Sequence, residues 1–388
     1  MTPSVSTAVL AAALAASAFP QDRTVRDAGQ LRQALAQARA GQTILVAPGR
    51  YPGGFSADGL RGEAGRPVVI AAADPADPPV FEGGAAAFQL SRVAHVELRS
   101  LVFKGATGNG LNIDDGGQMK TPSHHVVLKN LVVRDVGPTG NRDGIKLSGV
   151  DDFRVEGCTV ERWGSGGSGI DMVGCHRGEI VGNTFRHGDE NGDNAVQAKG
   201  GSSDVLIRRC VFDHAGGRAV NLGGSTGLPY FRPSAVTCEA KNVTVEDCTF
   251  VGSTAAVAFV GVDGAVVRRN TIYRPRKWVF RILQENRAPG FVPCRKGEFT
   301  DNVVVFRSDE VSVPINVGDA TDPDSFTVAR NAWYCLDAPR RSRLSLAVPE
   351  RDGIYGQDPR LTDPERGDLR LRPDSPVRSA GARPGPAR

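Results

Sequence analysis

The chain has 388 residues, 47 Lys and Arg against 43 Asp and Glu, a formal net charge of +4, and only 6% aromatic residues. So small an excess of positive charge excludes the dense basic surface that nucleic acid needs, while remaining compatible with an acidic polymer as partner. The 47 Gly and 25 Pro imply many turns, and the length exceeds what one ordinary globular core accommodates.

In chain order, Val5 to Ala16 is an apolar run too short to span a bilayer, and Ala16-Ser17-Ala18 has the small residues of a cleavage site. Residues 1–18 therefore read as a signal peptide, and the protein as secreted or periplasmic, with no membrane association. Residues 19–85 read as an N-terminal cap and first strands. Asp27 to Ala40 places Leu31, Ala34, Leu35 and Ala38 at helical spacing, ahead of Gly41 and an apolar strand at Thr43–Ala47.

From residue 86 to 340 one degenerate phrase recurs: branched apolar, any, apolar, two polar or small residues, Asn or Cys, any, apolar. It appears around Asn130, Cys158, Asn183, Cys210, Cys248, Asn270, Asn302 and Asn331. Repeats of this length that alternate like strands indicate a solenoid in which each repeat is one coil. The cap helix would cover the open end of the first coil, as solenoids require. Residues 341–388 read as a Pro- and Arg-rich C-terminal tail that wraps the last coils, and a monomer is expected.

A second phrase, upstream of each ladder residue, gives a more useful alignment: Asn109-Gly-Leu-Asn-Ile-Asp, Asp143-Gly-Ile-Lys-Leu-Ser, Ser168-Gly-Ile-Asp-Met-Val, Asn194-Ala-Val-Gln-Ala-Lys, Arg218-Ala-Val-Asn-Leu-Gly and Ala255-Ala-Val-Ala-Phe-Val. Its third and fifth positions are apolar every time. Strand side chains alternate faces, so those positions fill the interior and the fourth and sixth face outward. The fourth column is Asn112, Lys146, Asp171, Gln197, Asn221, Ala258, Arg281 and Asn316. The sixth is Asp114, Ser148, Val173, Lys199, Gly223 and Val260. Two long insertions, Asp115–His125 and Gly224–Lys241, leave from the ends of this polar face and should wall a cleft.

Three of the seven cysteines, Cys158, Cys210 and Cys248, occupy the ladder position, where small buried thiols are expected; Cys210 and Cys248, on neighbouring coils, are also close enough to bridge. No Cys/His spacing of a zinc site is present.

An unpaired lysine in a walled groove is a candidate base. β-Elimination of a uronate removes a weakly acidic proton beside a carboxylate, so the site needs a base and positive charge for the developing anion. Lys199 has Val173 and Gly223 as its column neighbours, neither able to pair with it, although Asp171 lies diagonally within reach. Lys146, Gln197, Asn221, Arg232 and Arg281 are candidate substrate contacts, with Arg281 also able to pair with Glu285. The stretch Asp189-Glu190-Asn191-Gly192-Asp193, with Asp171 from the preceding coil, offers oxygen ligands suited to Ca²⁺, although Asp, Asn and Gly are also ordinary turn residues. His187 and His214 flank this region.

A glycoside hydrolase using Asp143, Asp171 and Asp193 on successive coils is the rival enzyme reading, disfavoured because Lys146 and Lys199 interleave with acids of which one must be protonated. A non-catalytic carbohydrate-binding or surface solenoid is the third, with no aromatic platform in the columns to support it.

The cap helix, the Asn/Cys ladder and the closing Leu369-Arg-Leu-Arg-Pro-Asp-Ser-Pro376 resemble right-handed parallel β-helix proteins, many of them active on polysaccharides. Within that group, Gln197-Ala-Lys-Gly-Gly-Ser-Ser-Asp-Val-Leu-Ile-Arg-Arg-Cys-Val-Phe212, followed by Gly216-Gly-Arg218, is similar to the alginate and chondroitin lyases of polysaccharide lyase family six. That resemblance implies a Lys base at Lys199, a catalytic Arg at Arg218 and a calcium ion neutralising the uronate carboxylate. Arg218 stands at the first position of its phrase, with Gly223 aligned to Lys199, and Gln197 stands where the family has an acid. The expectation is thus an all-β right-handed parallel β-helix that cleaves an acidic, uronate-containing polysaccharide by β-elimination.

Overall fold

The computed structural model describes residues 22–188 and 194–383. The chain winds as a right-handed parallel β-helix whose three faces are parallel sheets of 13, 10 and 12 strands, with an antiparallel hairpin of Leu361–Asp363 and Asp368–Leu371 near the end. The call-and-response of inward and outward positions follows the sequence columns. Leu111, Ile113, Ile145, Leu147, Ile170, Met172, Val196, Ala198, Val220, Leu222, Val257 and Phe259 are all buried. Phenylalanines stack along the same interior: Phe185, Phe212 and Phe250, on three successive coils, have ring centroids 5.1 and 4.7 Å apart. Close packing is strict, since a Cβ on Gly178 would lie 1.9 Å from the Phe153 ring.

The cap is a helix, Ala28–Gln37, one turn shorter than the predicted span, with the Asp27 carboxylate accepting from Gln30 N. It buries Leu31, Ala34 and Leu35 against the first coil, while Ala38 caps its C-terminus half-exposed. Near the end of the chain, Leu361, Leu369, Val377 and Ala380 pack on Tyr273, Val303, Val305 and Ala332.

Each coil turns a corner through one left-handed residue, after which the next side chain points inward. Gly182, Arg269, Asp301 and Arg330 have φ of 64, 52, 57 and 55°, and Asn183, Asn270, Asn302 and Asn331 follow them, fully buried. Their amides form a ladder. Asn270 Nδ2 donates to Val245 O and to Asn302 Oδ1, Asn302 Nδ2 donates to Val267 O and to Asn331 Oδ1, and Glu350 closes the row by accepting from Asn331 and Trp333 Nε1. Asn130 corrects the predicted register by one place. It is exposed at φ 54°, the left-handed position itself, and Leu131 fills the ladder. Asn tolerates left-handed backbone as readily as it suits the ladder, so the phrase alone could not separate the two roles.

All seven cysteines are buried and free, so Cys210 and Cys248 form no bridge; Cys210 N donates to Cys248 Sγ at 3.4 Å. Burial pushes the Cys158 and Cys175 thiols up to about 12, which keeps them unreactive.

Replacing Asn302 with Leu should cost several kcal/mol, because it strips the acceptor from Asn270 N and the donor from Val267 O, both on the preceding coil, at about 1–3 kcal/mol for each unsatisfied group. Urea unfolding of Asn302→Leu and of the exposed control Asn130→Leu should show a large loss in the first and little change in the second.

Candidate functional site

The ten-stranded sheet carries the polar columns, and their pairing is as aligned: Asn112 opposite Lys146, Lys146 opposite Asp171, Asp171 opposite Gln197, and Gln197 opposite Asn221. Parallel in-register stacking sets these side chains about 4.8 Å apart. Above them lies a groove of about 630 Å³. Its floor includes Gln89, Asn112, Lys146, Ser148 and Lys199, and its walls come from the two insertions, through Asp115–Gly117 and through Ser225–Gly227, Tyr230 and Arg232, both of which leave C-terminal strand ends of this sheet.

A four-membered charge cluster sits at the centre. Asp171 is fully buried, and the ammonium of Lys146 bonds its Oδ2 while also lying 3.4 Å from Asp143. Lys199 Nζ lies 3.4 Å from Asp171 Oδ1 and donates to Gln197 Oε1 at 3.1 Å. Both lysines remain 18% exposed at the side chain and face the groove. Burial, reinforced by the Asp171 charge, raises the Asp143 carboxyl to about 6 against the opposing pull of Lys146. Lys146 is drawn down by burial but raised on balance by Asp171 and Asp143.

The walls are pinned by buried polar contacts. Arg232 Nε and Nη2 donate to the two oxygens of Asp115 at 2.6 and 3.1 Å, joining two insertions that lie 117 positions apart in the chain. Glu239, wholly buried, accepts from Gly200 N, Thr226 N, Thr226 Oγ1 and Asn286 Nδ2. The segment containing Asn286 packs over this wall, with Phe231 and Phe291 ring centroids 5.4 Å apart. The face itself is less exposed than the columns imply: Asp171, Gln197, Asn221 and Ala258 are buried.

Of the sequence candidates, Lys146, Lys199 and Arg232 line one groove, and Gln197, Asn221 and Asp171 lie in its foundation. Arg218 and Arg281 sit further along the same sheet. Arg218 bonds Glu285 at 2.8 Å and Asn221 at 3.3 Å, whereas Arg281 bonds Asn316 and lies over the Trp278 ring at 4.1 Å. Lys199 is paired diagonally with Asp171, the alternative to an unpaired lysine. His187 stacks on Trp163 and His214 bonds Asp213, both outside the groove. Asp189, Glu190 and Asp193 lie outside the described residues. The remaining proposed calcium ligand, Asp171, does not fit a divalent ion, since its two oxygens face two ammonium groups.

The alignment missed Gln89 as a groove residue, and gave Asn109 and Asp114, which stand in its first phrase, no role in the site. Gln89 and Asn112 donate to Asp114 Oδ2, and Asn109 donates to Asn112. The signal existed: Ala86-Ala-Phe-Gln-Leu-Ser91 fits the same phrase and stacks on Asn109–Asp114.

Removing Asp115 leaves the Arg232 guanidinium buried without its counterion, a loss of about 3–5 kcal/mol. Asp115→Ala should therefore lower the denaturation midpoint sharply and speed proteolysis within residues 224–241, as read by limited digestion.

Residues 86–277 match the family model described as right handed beta helix region. No curated protein matches the sequence. In structure the chain is similar to an alginate lyase from Paenibacillus sp. str. FPU-7 at 16% identity and TM-score 0.54, covering 78% of this chain and 97% of that one. It is similar to pectate lyase Pel9A at 15% identity and TM-score 0.57, covering 95% and 94%. A third likeness is to the PL6 family polysaccharide lyase Pedsa3628 from Pseudopedobacter saltans, at 11% identity and TM-score 0.50, covering 93% and 99%. At such identities the likeness is one of fold. Corner ladder, three parallel sheets and these matches together make the chain a right-handed parallel β-helix protein.

Proposed function

We propose that this chain is a secreted polysaccharide lyase that cleaves an acidic, uronate-containing glycan by β-elimination. The observation that carries the reading is the pair of lysines, Lys146 and Lys199, held on one buried carboxylate at the floor of a walled groove otherwise lined largely by amides and hydroxyls. Amides and hydroxyls suit sugar hydroxyls, and ammonium groups suit a uronate carboxylate. The lyases among the structures of like fold are in keeping with it.

Lys199 is assigned as the base. Once its ammonium has given a proton to water, the neutral amine would take the proton beside the uronate carboxylate as the bond to the glycosidic oxygen breaks, and the leaving oxygen would take a proton from water, giving an unsaturated sugar and a free hydroxyl. Lys146 would face the carboxylate and stabilise the developing anion. Arg218 and Arg281 would meet further acidic units along the polymer. No step is assigned to calcium.

Hydrolysis is the second reading, favoured by one observation: the Asp143 carboxyl, raised to about 6 beside Asp171, has the character of a general acid. Both carboxylates, however, are buried beneath Lys146, and neither lines the groove.

Lys199→Ala should abolish release of unsaturated product, followed by ultraviolet absorbance on alginate, pectate and chondroitin, while circular dichroism shows the fold retained and thermal stability falls moderately, Lys146 alone being left to compensate Asp171. Lys199→Arg keeps the charge yet cannot shed a proton near neutrality, so it should be equally inactive. Wild-type rates in either variant would remove the base from this scheme.

Acidification tests the electrostatics separately. Above pH 6 Asp143 is ionised; below it Asp143 takes up a proton and the cluster loses one negative charge. Binding of an acidic oligosaccharide should tighten between pH 7 and pH 5 while the uronates stay ionised. Because the folded-state value exceeds the unfolded one, the same group stabilises the fold most in acid and loses that contribution as pH rises through about 6. Asp143→Asn, which keeps the acceptor for Ser168 N, should flatten both dependences in calorimetric titrations.

A further inference from the structure

The chain has six histidines, and three of them, His95, His124 and His125, meet on the 13-stranded sheet, away from the groove. The coil geometry brings them together. His95 and His125 occupy equivalent left-handed positions on neighbouring coils, at φ 51 and 55°, each one residue after the paired Ala94 and His124. In-register stacking lays their rings over one another with centroids 4.3 Å apart. His124 completes the group, its Nδ1 2.9 Å from His125 Nδ1.

We propose that His95, His124 and His125 form a surface site for a divalent transition ion of the zinc class, clasping two neighbouring coils. One nitrogen from each ring lies within 4.8 Å of the other two. Imidazole suits zinc, copper and nickel, and three protein nitrogens with one position left open is a common zinc arrangement. At the usual Zn–N length of about 2.0–2.1 Å, tetrahedral ligand nitrogens stand roughly 3.3 Å apart, so the close His124–His125 pair needs to open by only a few tenths of an ångström. An ion would take the place of the proton those two nitrogens share. Sequence spacing hid the site, because one ligand lies a full coil away from the other two.

The test is calorimetric titration of the full chain with Zn²⁺ in metal-free buffer, with Ca²⁺ as the control. One equivalent should bind at micromolar or tighter affinity, and Ca²⁺ should give no comparable heat. His95→Asn and His125→Asn keep a residue tolerant of left-handed backbone and should each weaken Zn²⁺ binding at least tenfold with circular dichroism unchanged. His124→Gln, in the regular strand, provides the same readout without touching those corners. Absence of Zn²⁺ binding in the parent, or undiminished affinity in the three variants, would overturn the proposal.

Discussion

Every feature of this protein depends on coils stacking in parallel and in register. That constraint turns sequence periodicity into vertical columns, so side chains some 25 residues apart become neighbours at strand spacing. A column of one residue type is then a ladder, as with Asn270, Asn302 and Asn331, and a column of mixed charges becomes a site. The interior tolerates this arrangement because it is filled by stacked aliphatic and phenyl side chains whose packing fixes the register.

The charge cluster follows from the same constraint. Lys146, Asp171 and Gln197 occupy one column on successive coils, and Lys199 reaches across from the next column. A fully buried carboxylate is costly unless compensated, and here two ammonium groups compensate it while keeping their outer faces toward the groove. The walls carry a comparable device in Asp115–Arg232, and Glu239 ties the second wall to the adjoining loop. The groove is thus built from buried ions that hold exposed ones in place.

The columns themselves were legible in the sequence, because alternation between interior and exterior leaves a strong signal in short strands. The pairing from Asn112 to Asn316 can be read directly from six aligned phrases and two looser ones. Three things were not legible. Asn130 shows that one residue type can serve two adjacent corner positions. Gln197 and Asn221 show that a column predicts direction but not cover, since both amides donate to the strand-end carbonyl of Gly223 and are buried there. The pairing of Arg218 with Glu285 joins positions whose proximity depends on how the chain leaves a strand end, which spacing does not encode.

The central claim is that this groove performs elimination on an acidic glycan, and the most direct measurement is the mass of the oligosaccharides released from alginate, pectate and chondroitin by the purified protein. Elimination predicts fragments ending in an unsaturated uronate, each one water lighter than the corresponding saturated oligosaccharide. Fragments that all carry the added water would contradict the account, and would move the chemistry to the buried aspartates beneath Lys146.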